Sequence, residues 1–263
     1  MHLRLRTRAS ALDQQVAAVL GAIVLSSCLA TAAAAEEPTP DCASDVSDQQ
    51  GVTAFVSLID GQPTDPKAPT LNLAASRQNG IVAFQPTVQL APGSRRGLCD
   101  AVLSLQLPPL NISNGQTSFG RTVGVSWEQR WQEDTHRRPT IATLLTATID
   151  YSGPSTLTTI QGTVIAAKTV DRAVFYANAS LSGTFGNGAP SGVIPALTLG
   201  AKWPARGGKA LIADVVLTKG VPTVFELGYQ FSGPFDINFG PGVSVSLERR
   251  PSVGIGIVIQ RDF

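Results

Sequence analysis

The sequence predicts an all-β fold, an antiparallel transmembrane up-and-down β-barrel of about twelve strands that follows an N-terminal signal peptide. Three observations support this fold class. Apolar and small polar residues alternate with a period of two along most of the chain, and only 15% of the 263 residues are charged. After the N-terminus, no stretch approaches the ~20 apolar residues of a spanning helix. The pattern therefore favours strands with one face toward lipid.

The N-terminus has the three-part layout of a secretory signal peptide. A basic stretch, residues 1–8, precedes an apolar run, 16–29, and a small-residue run, 30–35. The apolar run is short for a spanning helix, so cleavage after Ala34 or Ala35 is preferred to a membrane anchor. Export from the cytoplasm follows.

A second processing route exists. Residues 25–28, Leu-Ser-Ser-Cys, resemble a bacterial lipobox, which would make Cys28 the lipidated first residue. The alanine site is preferred, because the alanine run and the acidic residues after it resemble an ordinary mature N-terminus. The chain then divides into a signal peptide (1–35), a periplasmic N-terminal segment (36–50) and the β-barrel (51–263).

Two cysteines remain after cleavage, Cys42 and Cys99. In an oxidising compartment they favour one disulfide over a metal site, because no histidine or further cysteine lies at ligand spacing. Two free buried thiols are the alternative. Neither a metal nor another cofactor is expected.

The predicted strands follow from the alternation. They are residues 51–58, 81–90, 98–107, 121–130, 141–151, 156–168, 175–182, 197–203, 211–217, 223–231, 235–247 and 253–263. Two of these runs alternate poorly: 141–151 is apolar on both faces at its start, and 156–168 is β-branched without a clear period. Residues 240–242, Gly-Pro-Gly, predict a bulge or kink without a change of phase. Residues 61–70 are predicted to be a loop.

An even strand count places both ends of the barrel chain in the periplasm. With the same parity, Cys99 lies at the periplasmic end of the third predicted strand. Cys42, in the periplasmic N-terminal segment, can then reach it.

The last strand has one apolar face, which carries Ile255, Ile257 and Ile259, and the chain ends on Phe263. This arrangement resembles the final strand of bacterial outer-membrane β-barrels. The resemblance implies that the segment is the insertion signal read by the barrel-assembly machinery, and that the protein lies in the outer membrane of a Gram-negative cell. Arg261 lies on this apolar face, where such strands usually carry an apolar or aromatic residue. Near the membrane edge, however, an arginine side chain can extend to the headgroups.

The opposite strand faces are mostly Gly, Ser, Thr and Asn, with isolated charges. The charged residues predicted to face the lumen are Asp150, Lys202, Asp214, Glu226 and Glu248. They either line a path for an ion or substrate, or pair across a filled interior, because buried charges need partners. A secreted β-sandwich also alternates, yet its solvated face usually carries more charge.

Aromatic residues near the predicted strand ends resemble the interfacial girdles of membrane barrels. They are Trp127, Trp131, Tyr151, Phe185, Trp203, Phe231 and Phe263. Residues 127–139 form the most polar stretch of the chain. It could bind a partner or a lipid headgroup, and a solvated periplasmic turn is the preferred interpretation.

The sequence gives little support to catalysis or nucleic-acid binding. The mature chain has one histidine, His136, in that polar stretch, and no serine with a strand context lies near it. The formal net charge is +1, and no basic patch is apparent.

From residue 127 onward, the chain resembles a group of proteobacterial outer-membrane proteins known as transporter-like or as part of a meta-pathway of phenol degradation. The residues concerned are 127–131, 138–145, 200–203, 211–214 and Phe263. The resemblance implies a channel or transporter for a small molecule, apolar or aromatic ones included, with outer-membrane lipid as its surroundings. A structural or surface-interaction barrel with a filled lumen, and a secreted sandwich adhesin or lipoprotein, are the alternatives.

Overall fold

The structure is a computed structural model that describes residues 70–78, 81–90, 101–132, 137–153, 155–189, 192–206, 209–234, 237–248 and 251–262. Several predictions lie outside these residues and stay predictions. They are the signal peptide (1–35) with Cys28, the N-terminal segment (36–50), the strand at 51–58, the Cys42–Cys99 disulfide, His136 and Phe263.

The described chain forms fourteen β-strands. They are β1 (Thr70–Gln78), β2 (Ile81–Leu90), β3 (Ala101–Gln106), β4 (Leu110–Ser113), β5 (Gln116–Phe119), β6 (Thr122–Gln132), β7 (Thr140–Asp150), β8 (Leu157–Val170), β9 (Ala173–Phe185), β10 (Val193–Ala205), β11 (Lys209–Thr218), β12 (Val224–Ser232), β13 (Ile237–Ser246) and β14 (Ser252–Asp262). No helix among the described residues is long and apolar enough to cross a membrane.

The sheet closes on itself, because β1 pairs with both β14 and β2. Every pairing is antiparallel, and strands that follow one another in sequence are neighbours around most of the wall. β3 and β4 both pair with β2 and form one interrupted wall strand, and β5 and β6 form another. The result is a closed barrel of twelve strands, as predicted. The β-sandwich alternative is therefore wrong, because a sandwich consists of two open sheets.

Prolines interrupt the wall between β3 and β4. Pro108 and Pro109 have no N–H group to donate, so the ladder breaks there. The Leu107 N–H donates to the Pro86 carbonyl (3.0 Å) and the Gly120 N–H to the Pro109 carbonyl (2.6 Å). A Cβ on Gly120 would lie 2.4 Å from the Pro109 ring, so the close approach of the two segments requires glycine.

The segmentation differs from the sequence prediction in three places. β4 and β5 lie between two predicted strands and were not predicted. β1 (Thr70–Gln78) was not predicted, and it begins at a residue assigned to the loop. Residues 127–139 were interpreted as a turn, but β6 continues to Gln132 with a register shift between Arg130 and Gln132. The inward–outward alternation of β13 continues unchanged through residues 240–242, as predicted, because β13 stays in register with β14 through Gly240↔Val258 and Gly242↔Gly256.

The two ends of the barrel are named here by the chain termini. The base is the end at which β1 begins and β14 ends, and the rim is the opposite end. Residues of odd number in β9–β14 point outward and include exposed leucines and isoleucines such as Leu181, Leu199 and Ile255. An outward apolar surface between two ends is the surface that lipid covers in membrane barrels.

Exposed aromatic side chains lie on this outer surface near both ends. The base carries Trp131, Phe175, Trp203 and Tyr229, and the rim carries Phe119, Tyr151 and Phe185. Phe231 stacks on Phe239 near the base with ring centroids 5.3 Å apart. The predicted girdle is thus present for most of its members, whereas Trp127 lies several residues inside β6.

Candidate functional site: the barrel lumen

The lumen is lined mainly by hydroxyl and carboxamide side chains. They come from the inward positions of the wall strands: Asn72, Gln85, Thr87, Gln106, Ser126, Thr146, Thr148, Thr159, Gln161, Thr163, Asn178, Ser180, Ser182, Thr184, Thr198, Gln230, Asn238, Ser244 and Gln260. Such groups can donate and accept hydrogen bonds without carrying charge.

Three of the predicted lumen charges lie on neighbouring strands. Asp214 on β11 is directly opposite Glu226 on β12, and Lys202 on β10 is opposite Ile212, one inward position from Asp214. Residues that are diagonal across two strands lie within reach of long side chains, so Lys202 can approach Asp214. None of the three is without an interaction partner. Lys202 and Asp214 are each only 6% exposed.

The other two predicted charges lie at the rim. Asp150 is the last residue of β7, and its Oδ1 accepts a hydrogen bond from the Ser152 N–H (2.8 Å). Glu248 lies beyond the end of β13 and is exposed, and the Ser246 hydroxyl lies 3.4 Å from its Oε1. These two carboxylates therefore line the rim rather than the depth of the lumen.

Two inward charges were not predicted, Glu128 and Arg130 on β6. Glu128 is opposite Leu144 and Arg130 is opposite Ala142 on β7, which are inward positions. The sequence contained a signal for them, because the inward phase of Gly124 and Ser126 continues without interruption to both residues. They were missed because residues 127–139 are so polar that they were interpreted as a turn.

The base half of the lumen is closely packed. All buried side chains in the described part of the chain face inward except Ala101 and Ala201. Ala167, Tyr176 and Ile212 form one cluster with Val174 packed against it. Tyr176 is opposite Gly200, which is in turn opposite Asp214, so the row between the tyrosine and the carboxylate contains no side chain.

The rim half of the lumen is more exposed and has hydroxyl pairs. Thr159 and Thr184 hydroxyls are 3.0 Å apart, and Thr163 and Ser180 hydroxyls, nearer the base, are 2.9 Å apart. Inward isoleucines mark the contrast: Ile194 near the rim is 39% exposed, whereas Ile165 near the base is 0% exposed.

No group of three or more His, Cys, Asp or Glu side chains in the described ranges is placed to hold a metal ion. The described inner face offers hydroxyl and carboxamide groups for hydrogen bonding and a few charged groups.

Comparison with known proteins supports the architecture. No protein-family model and no curated protein matches the sequence. Among solved structures, the NanC porin superposes with a TM-score of 0.51 at 9% identity, covering 72% of this chain and 98% of that chain. The KdgM porin superposes with a TM-score of 0.48 at 11% identity, covering 72% and 97%.

The fold and the chemistry of its two faces define the class: a closed antiparallel β-barrel of twelve strands with an apolar outer face and a polar inner face. At these identities the likeness concerns the fold and not the solute.

Proposed function

We propose that the protein is an outer-membrane channel for small polar solutes. The observation that carries this proposal is the combination of an apolar outer wall with a lumen lined by hydroxyl and carboxamide groups. Such a lining can replace water around an uncharged polar solute while the solute passes. Outer-membrane lipid is then the surrounding medium, and the barrel-assembly machinery inserts the chain through β14.

The lining favours a polar solute over the apolar or aromatic molecule implied by the phenol-degradation resemblance. Inward side chains of the rim half, such as Thr148, Thr159 and Ser182, offer an apolar molecule few contacts. The relation to that protein group rests on residues 127–131, 138–145, 200–203, 211–214 and Phe263 alone. The proposal assigns passage of solute, not catalysis, to the lumen.

Solute uptake by liposomes tests the function. Purified barrel is reconstituted, and swelling in neutral sugars of increasing size is compared with swelling in phenol and with empty liposomes. Faster entry of the smallest sugars is expected. Protein that folds, as shown by a boiling-dependent gel shift, but admits none of these solutes would contradict the proposal.

Charge-neutral variants test whether the carboxylates of β11 and β12 contribute to ion selectivity. Asp214→Asn with Glu226→Gln removes two neighbouring carboxylates. The ratio of cation to anion permeability, measured from planar-bilayer reversal potentials, should therefore fall, while sugar entry is retained. Glu248→Gln at the rim is the matched control and should change the reversal potential less.

A barrel with a filled lumen and a structural role is the second candidate. It is favoured by the burial of the inward side chains at the base, where Ile165 and Ile212 are 0% and 2% exposed. Absence of conductance in every form of the protein would support it.

A further inference from the structure

One continuous row of inward polar side chains rises across the wall from the base towards the rim. The strands of a barrel tilt, so residues that are paired from strand to strand lie at increasing height along the axis. From β1 to β9 this row is polar and uncharged at every position except one glycine. Its members, each paired with the next, are Asn72, Thr87, Gln106, Gly124, Thr148, Thr159 and Thr184.

The glycine at position 124 does not interrupt this row. A Cβ atom on Gly124 would lie 2.7 Å from the Gln106 Oε1 and 2.9 Å from the Thr148 Cγ2. The two flanking side chains therefore already occupy the space beside the glycine. Further towards the rim, the Thr159 and Thr184 hydroxyls are 3.0 Å apart. Polar groups thus follow one another from strand to strand along the whole row.

A second row with the same chemistry runs beside the first, one inward position nearer the base. Its members, each again paired with the next, are Gln89, Ser104, Ser126, Thr146, Gln161 and Ser182. Each residue of the two rows is partly exposed. These two rows together are named the double row.

Other rows of the inner face are interrupted by charged, apolar or absent side chains. In one of them, Gly200 separates Tyr176 from Asp214. The inward charges of β6 and β10–β12 lie outside the double row, and they are Glu128, Arg130, Lys202, Asp214 and Glu226. A solute that follows the double row therefore contacts hydrogen-bonding groups that carry no charge.

The spacing and chemistry of the double row match a chain of linked, hydroxyl-bearing units. Paired side chains on neighbouring strands lie about 5 Å apart, so donors and acceptors recur at that interval along each row. A carboxamide can donate to one hydroxyl of a diol and accept from its neighbour, and a hydroxyl can do either. Hexose units in a linear chain present hydroxyl groups at a similar interval. A charged chain would lose hydration here without gaining a counter-charge.

We propose that the double row is a binding path for linear, uncharged oligosaccharides, which advance by exchanging hydrogen bonds from strand to strand. This rests on the proposed channel function and names the class of solute. Exchange between many similar groups keeps each single contact weak enough for release. A longer chain contacts more strands at once, so affinity should increase with chain length.

Block of the ion current measures this binding. Neutral linear glucose oligomers, from the dimer to the hexamer, are titrated against the current through the full-length barrel in planar bilayers, with glucuronate oligomers as the charged counterpart. The half-blocking concentration of the neutral hexamer should be at least threefold lower than that of the neutral dimer or the glucuronate hexamer. Block that is independent of length, or stronger for the glucuronate hexamer, would overturn the proposal.

Matched threonine variants locate the path. The first variant removes three hydroxyls of the double row and keeps the shape of the side chains, by Thr146→Val, Thr148→Val and Thr159→Val. The control makes the same change at three inward threonines outside the double row, by Thr122→Val, Thr198→Val and Thr218→Val. The half-blocking concentration of the neutral hexamer should rise at least threefold in the first variant and less than twofold in the control. Equal shifts would overturn the proposal, and the boiling-dependent gel shift reports that each barrel has folded.

Equilibrium dialysis separates the binding path from the channel function. A labelled neutral glucose hexamer is dialysed against the detergent-solubilised barrel, a measurement that requires no passage of ions. Binding that is lost in the first variant and kept in the control, in a barrel without conductance, would support the path and contradict the channel function. A conducting barrel that the neutral oligomers neither block nor bind would overturn the path and leave the channel function standing. Absence of binding in a barrel without conductance would overturn both.

Discussion

The base and rim halves of the lumen share the same strands but have different inner surfaces. Near the base, Ile165 and Ile212 are buried together with polar residues such as Asn178 and Gln260. Near the rim, Ile194 and the Thr159–Thr184 pair remain partly exposed. β8, for example, carries Thr159 in the rim half and Ile165 in the base half. The burial of most inward side chains in this barrel thus follows their height along the axis, and Ser244, buried near the rim end of β13, departs from this trend.

The largest expected effect comes from a buried charge. Ile212→Asp places a carboxylate at a buried position of the base half, which should lower the free energy of unfolding by about 3–5 kcal/mol. Ile194→Asp at the rim should cost about 0.5 kcal/mol or less, because water remains available. Urea titration followed by the gel shift measures both. Equal losses for the two variants would remove the distinction between the halves.

A cavity should also distinguish the two halves. Ile165→Ala removes buried methyl groups and should cost about 2 kcal/mol or more, whereas Ile81→Ala, half-exposed at the rim, should cost clearly less than that. The same urea titration, followed by the gel shift, measures both losses. A small loss at Ile165 would mean that the neighbouring side chains collapse easily into the space left by the shortened side chain.

The smallest effect is expected from two hydroxyl pairs at different heights on β8 and β9. Thr163→Val leaves the Ser180 hydroxyl without its 2.9 Å partner in a buried setting, which should cost about 1 kcal/mol or more. Thr159→Val breaks the 3.0 Å pair with Thr184 where water can replace the lost partner, so a change of a few tenths of a kcal/mol is expected. A larger loss at Thr159 than at Thr163 would reverse the assignment of the two environments.

The strand pattern was predictable where the inner face is polar and the outer face apolar. From β9 to β14 the predicted inward and outward positions agree with the pairings, and Lys202, Asp214 and Glu226 face the lumen. The strand β1 was missed because Asn72, Ala74 and Ser76 alternate with leucines only weakly. Glu128 and Arg130 were missed because the surrounding polar residues resemble a turn.

The two runs with poor alternation have a common explanation in the structure. At the start of β7, Ala142 and Leu144 face inward while Ile141 and Leu145 face outward. In β8, Ile165 and Ala167 face inward while Val164 and Ala166 face outward. Both stretches contribute to the base half, where the inward side chains are buried and apolar residues are favoured on both faces.

The sequence by itself determined the all-β class, the twelve-stranded barrel and the orientation of most side chains, because a strand with one apolar and one polar face must alternate. Only the tertiary structure decided that β1 closes the barrel against β14, that β3–β4 and β5–β6 each act as one wall strand, and that inward side chains of the base half are buried. Closure, interruption and burial depend on contacts between residues far apart in the chain, and local periodicity carries no information about them.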